Sequence, residues 1–149
     1  MKARIFIGSS TEGLPVAQRI KEYFETEYDC YIWNDGIFKY NEGFLETLIK
    51  SASLFDFGFM VFAADDVSRI RDKEYITTRD NVLFEYGLFL GRVGLDKAYI
   101  IKDKEVKIPS DMLGITLLEY ETTANEDGAK VPNDDFENHL SELKKNIDE

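Results

Sequence analysis

Glu85 lies in the run Arg79-Asp80-Asn81-Val82-Leu83-Phe84-Glu85-Tyr86-Gly87, a carboxylate inside a segment that is otherwise largely apolar. Fixed and partly desolvated, such a carboxylate stabilises developing positive charge or takes up a proton. Its other reading is a solvated helical glutamate, paired with Arg92. Asn81, Glu85 and Leu88 or Phe89 share one face if the segment is helical, because positions three and four apart stack. A second candidate is Gly8-Ser9-Ser10, with little side-chain bulk, exposed N–H groups and two hydroxyls before a helix. It resembles a phosphate-binding turn, although it is neither Gly-x-Gly-x-x-Gly nor a Walker loop, and an ordinary strand-to-helix turn explains it equally. Thr11, Glu12 and Gly13 read as turn and capping residues. Trp33 is either a stacking surface for a ring or part of the core. With one cysteine and one histidine (Cys30 and His139), a zinc site or a Cys–His or Ser–His pair is not expected.

Short apolar runs alternating with helical patterns must position these residues, which predicts an open α/β sheet. Arg4 to Ile7, Cys30 to Trp33, Phe57 to Phe62, Ala98 to Ile101 and Ile115 to Leu118 read as strands, with Phe57 to Phe62 central. Leu14 to Phe24 reads as a helix with Pro15 in its first turn, and Phe44 to Leu54 as a second, after a loop over 36–43. A loop is expected from about Val67 to Thr78. A third helix runs from Asn81 to about Val93, capped by Asp80 or Thr78 and closed by Gly94. Gly87 and Gly91 are four apart and predict a bare strip along which that helix approaches the sheet. Residues 122–133 read as a polar loop. Phe136, Leu140, Leu143 and Ile147 then predict a last amphipathic helix, packed on the sheet or leading to a domain absent from this chain.

Ligands of an open parallel sheet bind at the carboxyl ends of the strands. That rim collects Gly8-Ser9-Ser10, Trp33-Asn34-Asp35, Ala63-Ala64-Asp65-Asp66, the start of the third helix, and Lys102-Asp103. The chain has 149 residues and a formal net charge of −11, which suits one domain and disfavours nucleic acid and anionic membranes as partners. A small anionic ligand is compatible with that charge where backbone donors bind it. A lone cysteine predicts a reducing compartment, and the short apolar run after Lys2 and Arg4 is no signal-peptide core, so a cytoplasmic location is expected.

Four segments carry a family resemblance. They are Ile5-Phe6-Ile7-Gly8-Ser9-Ser10-Thr11-Glu12-Gly13-Leu14, Tyr31-Ile32-Trp33-Asn34-Asp35-Gly36-Ile37-Phe38, Phe62-Ala63-Ala64-Asp65-Asp66-Val67 and, most specific, Arg79 to Arg92. Over roughly residues 3–121 the chain resembles the bacterial TIR-like domains of TIR–STING and related cyclic-nucleotide-triggered antiphage effectors. The resemblance implies a flavodoxin-like sheet of order 2-1-3-4-5 with helices on both faces. It also implies cleavage of NAD+ at the nicotinamide–ribose bond, activated by assembly. The family's catalytic glutamate maps onto Glu85, its nucleotide-contacting loop onto Phe6, Gly8, Ser9 and Ser10, and its mobile loop onto about Asn34 to Gly43. Trp33, Asn34, Asp35 and Asn81 complete the expected substrate-binding set.

One carboxylate suffices for this chemistry. Glycoside hydrolases generally use a second to protonate the leaving group. The pyridinium of NAD+ departs as neutral nicotinamide without an acid, and positive charge develops on the ribose, where Glu85 would act. Asp35, Asp65, Asp66 and Asp80 are rim carboxylates that orient it, bind ribose, or only cap and solvate loops. Neither metal nor cofactor is expected, NAD+ being the substrate. Expected partners are NAD+, further copies of the domain, and a cyclic-dinucleotide sensor domain absent from this chain. Two other functions fit the same residues: a non-enzymatic TIR self-association module, and a nucleoside deoxyribosyltransferase-like enzyme.

Overall fold

A computed structural model describes residues 2–10, 12–34, 53–64, 66–70, 72–77, 80–94, 96–108, 117–124, 126–127 and 130–148. Five parallel strands form the sheet: β1 (Arg4–Ser9), β2 (Asp29–Asn34), β3 (Phe57–Phe62), β6 (Ala98–Asp103) and β7 (Leu117–Tyr120). Their order is β2-β1-β3-β6-β7, which among the strands of this sheet is the expected 2-1-3-4-5. Three helices are described, α1 (Leu14–Phe24), α2 (Asp80–Val93) and α3 (Phe136–Ile147).

Side chains alternate across a strand, so each strand feeds two cores. Ile5, Ile7, Phe59, Val61, Tyr99 and Ile101 point to one face, where Val16, Ala17, Ile20 and Phe24 of α1 and Phe136, Leu140, Leu143 and Ile147 of α3 cover them. Phe6, Trp33, Met60, Phe62, Ala98 and Ile100 point to the other, beneath Tyr86 and Phe89 of α2. Cover on both faces explains why these strands read as unbroken apolar runs. Helix α3 is also tied by charge, with Arg19 of α1 bonded to Glu137 and Lys144 lying 2.6 Å from Glu27 and 2.7 Å from Asp148.

Two predicted loops are hairpins instead. Within the span 67–78, β4 (Asp66–Ile70) pairs antiparallel with β5 (Lys73–Thr77). Its charged residues hide the strand pattern, but Val67 stands opposite Ile76 and Arg69 opposite Glu74, a complementary register. The turn uses Asp72 at φ 64°, a left-handed conformation that Asp tolerates better than most residues. Within 122–133, β8 (Thr122–Ala124) pairs with β9 (Lys130–Pro132). The last sheet strand, Leu117–Tyr120, continues past the predicted end at Leu118, with buried Tyr120 packed against Phe136 at 5.6 Å between ring centroids, while Ile115 lies outside the described residues. Asp80 is the first residue of α2 rather than a cap before it, and Thr78, the other predicted cap, lies outside the described residues. The predicted loop over 36–43 and the predicted helix Phe44 to Leu54 lie outside the described residues, apart from Ser53 and Leu54, which form a turn.

The glycines of α2 do not play their predicted part. Gly87 and Gly91 are exposed, and a Cβ at either would meet nothing within 4 Å. Contact with the sheet is made by Phe89, and the residue that makes room is Gly58 of β3, where a Cβ would sit 2.7 Å from Phe89 Cδ1. The small residue belongs to the strand, and the large one to the helix. Gly58→Ala is therefore expected to lose about 1–3 kcal/mol by overpacking. Gly87→Ala and Gly91→Ala should each gain about 0.4–1 kcal/mol by helix propensity and a stiffer unfolded chain. Urea unfolding of the three variants checks the contrast.

Candidate functional site

The carboxyl edge of the sheet is built first by β1 and its exit. Gly8 pairs in register with Trp33 and Ser9 with Asn34, so the ends of β1 and β2 lie side by side. Ser9 and Ser10 are buried, at 0% and 1% exposure. The Ser9 hydroxyl donates to the Ser10 carbonyl at 2.7 Å, and the Gly13 N–H donates to Ser10 O at 3.2 Å and to Ser10 Oγ at 3.3 Å. The turn thus closes on itself, and part of each hydroxyl's bonding capacity is spent inside it. Gly13, read from sequence as a turn residue, is required by space: a Cβ there would lie 2.6 Å from Ser9 Oγ and 3.2 Å from Val61 Cγ1.

Phe6 and Trp33 lie beneath this edge. Phe6 is 2% exposed and stacks at 4.2 Å from Phe89, 5.4 Å from Phe55 and 5.8 Å from Trp33. Trp33 is 8% exposed, so the core reading of its indole holds, and any ligand would meet it as floor more than as an open platform.

Helix α2 runs against the strands. Phe89 packs over Gly58 at the start of β3, whereas Tyr86 packs on Phe62 at its end, with ring centroids 6.1 Å apart. Its N-terminal half therefore approaches the carboxyl edge, and Glu85, one residue before Tyr86, belongs to that half. Asn81 and Asp80 lie further toward the edge on the same helix. The side chains of Glu85, Asn81, Asp80, Asn34 and Asp66 lie outside the described residues, as do Asp35 and Asp65 altogether. The structure thus brings together Gly8, Ser9, Ser10, Trp33 and the backbones of Asn34, Asn81 and Glu85 around one edge.

One group at this edge, the Tyr86 hydroxyl, escaped the sequence reading, and another, the predicted rim residue Lys102, proves to be buried. The Tyr86 hydroxyl is buried with no hydrogen-bond partner among the described residues, and burial pushes it up to about 12. Lys102, at the end of β6 in register with Phe62, is 6% exposed, as is Asp103. The available signal was position: an ionisable pair continuing the fully buried run Ala98-Tyr99-Ile100-Ile101. Beyond them a hollow of about 510 Å³ is lined by Asp103, Lys104, Glu105, Glu121 and Thr122, and spanned by a Lys104–Glu121 pair at 2.9 Å. That pair raises the Lys104 ammonium above its ordinary value. His139 lies elsewhere, lining a hollow of about 430 Å³ between α3 and β7. Among the described residues, no group of three His, Cys, Asp or Glu side chains could hold a metal ion. Nor is any helix among them long and apolar enough to cross a membrane.

A parallel sheet of order 2-1-3-4-5, with helices on both faces and a buried turn after its first strand, defines a flavodoxin-like α/β domain of the TIR type. Residues 4–122 match the family model for the CAP12/Pycsar effector protein TIR domain, and the chain belongs to that family. It is 64% identical over its whole length to CD-NTase-associated protein 12 of Lachnospiraceae bacterium (strain RUG226), covering 47% of that protein. To the protein of the same name from Flavobacterium daejeonense it is 51% identical, again over its whole length and 47% of the relative. Pycsar effector protein XpPycTIR of Xanthomonas perforans is 36% identical over 85% of this chain and 43% of its own length. The chain thus spans about half the length of the curated relatives it matches.

The buried phenol predicts an alkaline weakness. Folding raises Tyr86 from 10 to about 12, so the folded state holds this proton more tightly than the unfolded chain. Its contribution is complete below pH 10 and is lost as pH rises toward 12, up to about 3 kcal/mol for two units. Tyr28, raised to about 12 by burial and by its bond to Asp148, loses stability in the same window. Tyr86→Phe is expected to be neutral or stabilising at pH 7, since it removes an unpaired buried hydroxyl. It should also flatten part of the decline between pH 10 and 12, which denaturant unfolding across that range measures.

Proposed function

We propose that this domain cleaves NAD+ at the nicotinamide–ribose bond, with Glu85 as its catalytic carboxylate. The observation that carries the reading is the run of α2 against β3, which brings the Glu85 segment to the carboxyl edge beside the β1 turn. Open parallel sheets bind their ligands at that edge. Leaving as neutral nicotinamide, the pyridinium needs no general acid. The developing charge is cationic and sits on ribose, and a carboxylate held in a partly dry site stabilises it and can accept the proton of an attacking water. The hydrolysis balances: the C–N bond breaks with its electron pair going to nicotinamide, water oxygen bonds to the ribose carbon, and one proton is released.

Gly8, Ser9 and Ser10, buried as whole residues, would shape the nucleotide site from beneath at the end of β1. Phe6 and Trp33 would form the floor beneath it, and Asn34, Asp35 and Asn81 its polar border. No metal or further cofactor enters this scheme. Membership of the CAP12/Pycsar effector TIR family supports a role as an effector of antiphage defence, and the reading adds that it acts in the cytoplasm and is switched on by cyclic-nucleotide signalling and self-assembly. With a net charge of −11, copies repel at low ionic strength, so assembly is the natural control point.

The test is chromatography of NAD+ incubated with concentrated, clustered protein. Wild type should release nicotinamide, and Glu85→Gln should lower the rate at least about 100-fold, the range for losing one transition-state charge partner, with an unchanged circular dichroism spectrum. Normal turnover by folded Glu85→Gln would sink the assignment. Base exchange from deoxynucleosides without NAD+ cleavage would point instead to transferase chemistry.

A further inference from the structure

Lys102 never reaches the edge as a free charge, yet it organises the segment that leads into α2, and we propose that it is a positioning residue for Glu85. The inference rests on the NAD-cleaving reading. The Lys102 side chain is 7% exposed, with its ammonium 3.5 Å from Glu119 Oε1 on β7. It donates to the carbonyls of Val106 at 2.7 Å, Asp103 at 3.2 Å and Lys104 at 3.4 Å. A buried ammonium must be satisfied by acceptors, and here the loop after β6 supplies them by wrapping around it. Asp103 Oδ1 accepts from the Glu105 N–H at 3.0 Å, and the Val106 N–H returns to the Asp103 carbonyl at 3.0 Å. The result is a loop whose shape is set by one cation.

That loop grips the neighbourhood of Glu85 at two points. Val106, 3% exposed, packs in the same apolar cluster as Tyr86, the residue after Glu85. The Lys107 N–H donates to the Ile76 carbonyl at 2.8 Å, and the Lys107 ammonium lies 4.2 Å from the centre of the Tyr75 ring. Tyr75 and Ile76 belong to β5, which ends at Thr77, and α2 opens at Asp80. The loop is therefore bonded to β5, the strand that precedes α2, and shares an apolar cluster with the helix residue next to Glu85. Without the ammonium, three carbonyls lose their common donor, and the two grips lose the geometry that aims them. Misplacement of a reacting group by about 1 Å costs a reaction on the order of 100-fold, whereas ground-state binding through the β1 turn is untouched.

The experiment compares wild type, Lys102→Met and Lys107→Pro in NAD+ cleavage kinetics and native-state amide exchange, at a temperature where all give native circular dichroism. Lys107 is exposed, and proline there removes both its N–H and the ammonium over Tyr75 while leaving the Lys102 ammonium in place, so this variant carries the test should Lys102→Met fail to fold. Both variants are expected to lower kcat about 10- to 100-fold with KM within about twofold. In Lys102→Met the Lys107 amide should lose protection while the Ile100 and Ile101 amides keep theirs. A folded variant with wild-type kcat, or a loss confined to KM, overturns the proposal, as does full protection of the Lys107 amide in Lys102→Met. Wild type that releases no nicotinamide under clustering overturns the NAD-cleaving reading and this role with it. Active wild type with equally active variants overturns the role of Lys102 alone.

Discussion

The fold depends most on the seating of Phe89 over Gly58. A helix has to bury its apolar stripe at a height set by the largest side chain in contact. Here that side chain finds a strand residue with no Cβ, and a tight fit results in which even one methyl group would collide. Phe89 also stacks on Phe6, so one ring fixes α2 against both β1 and β3. Because interiors are close-packed, the contact leaves little freedom for the helix to slide or roll. Everything α2 presents at the carboxyl edge inherits its position from this pair.

A second anchor lies three residues earlier on the same helix. Tyr86 packs edge-on against Phe62 and shares its cluster with Val106. The two contacts lie about one helical turn apart, so together they define a direction as well as a height. The unpaired Tyr86 hydroxyl is the cost of placing a large ring there. Proteins tolerate such a group where shape matters more than the last hydrogen bond, and the helix turn carrying Glu85 is such a place.

Much of this was legible in the sequence, for a physical reason. Strands covered on both faces must be apolar at every position, so Phe57 to Phe62 and Ala98 to Ile101 announce themselves, and the spacing of Phe136, Leu140, Leu143 and Ile147 fixes the buried face of α3. The hairpin of β4 and β5 was not legible, because its charged residues follow cross-strand pairing, which only the register reveals, and that of β8 and β9 was not because its strands have three residues each. Gly87 and Gly91 misled for a related reason. Composition says that a helix has a thin strip, but only the partner surface says whether the strip faces the sheet or solvent. Of the site, the sequence supplied the β1 turn and the Glu85 segment, the latter through family resemblance, while the serines' internal bonding and the Lys102 loop needed coordinates.

The distribution of charge follows from the same architecture. In the role proposed for Glu85, its carboxylate must stay effective without being surrounded by bulk solvent, and a doubly covered sheet suits this by bringing helix α2 down to the strand ends. Cations near that edge are spent on structure: Lys102 on three carbonyls and Glu119, Lys104 on Glu121. Had either been left free beside a catalytic carboxylate, it would have neutralised the charge that must meet an oxocarbenium ion. Among the described residues both lysines are bonded instead to loop carbonyls or to carboxylates on or just after β7. The feature that shapes the β6 exit thereby also protects the chemistry proposed at the β1 exit.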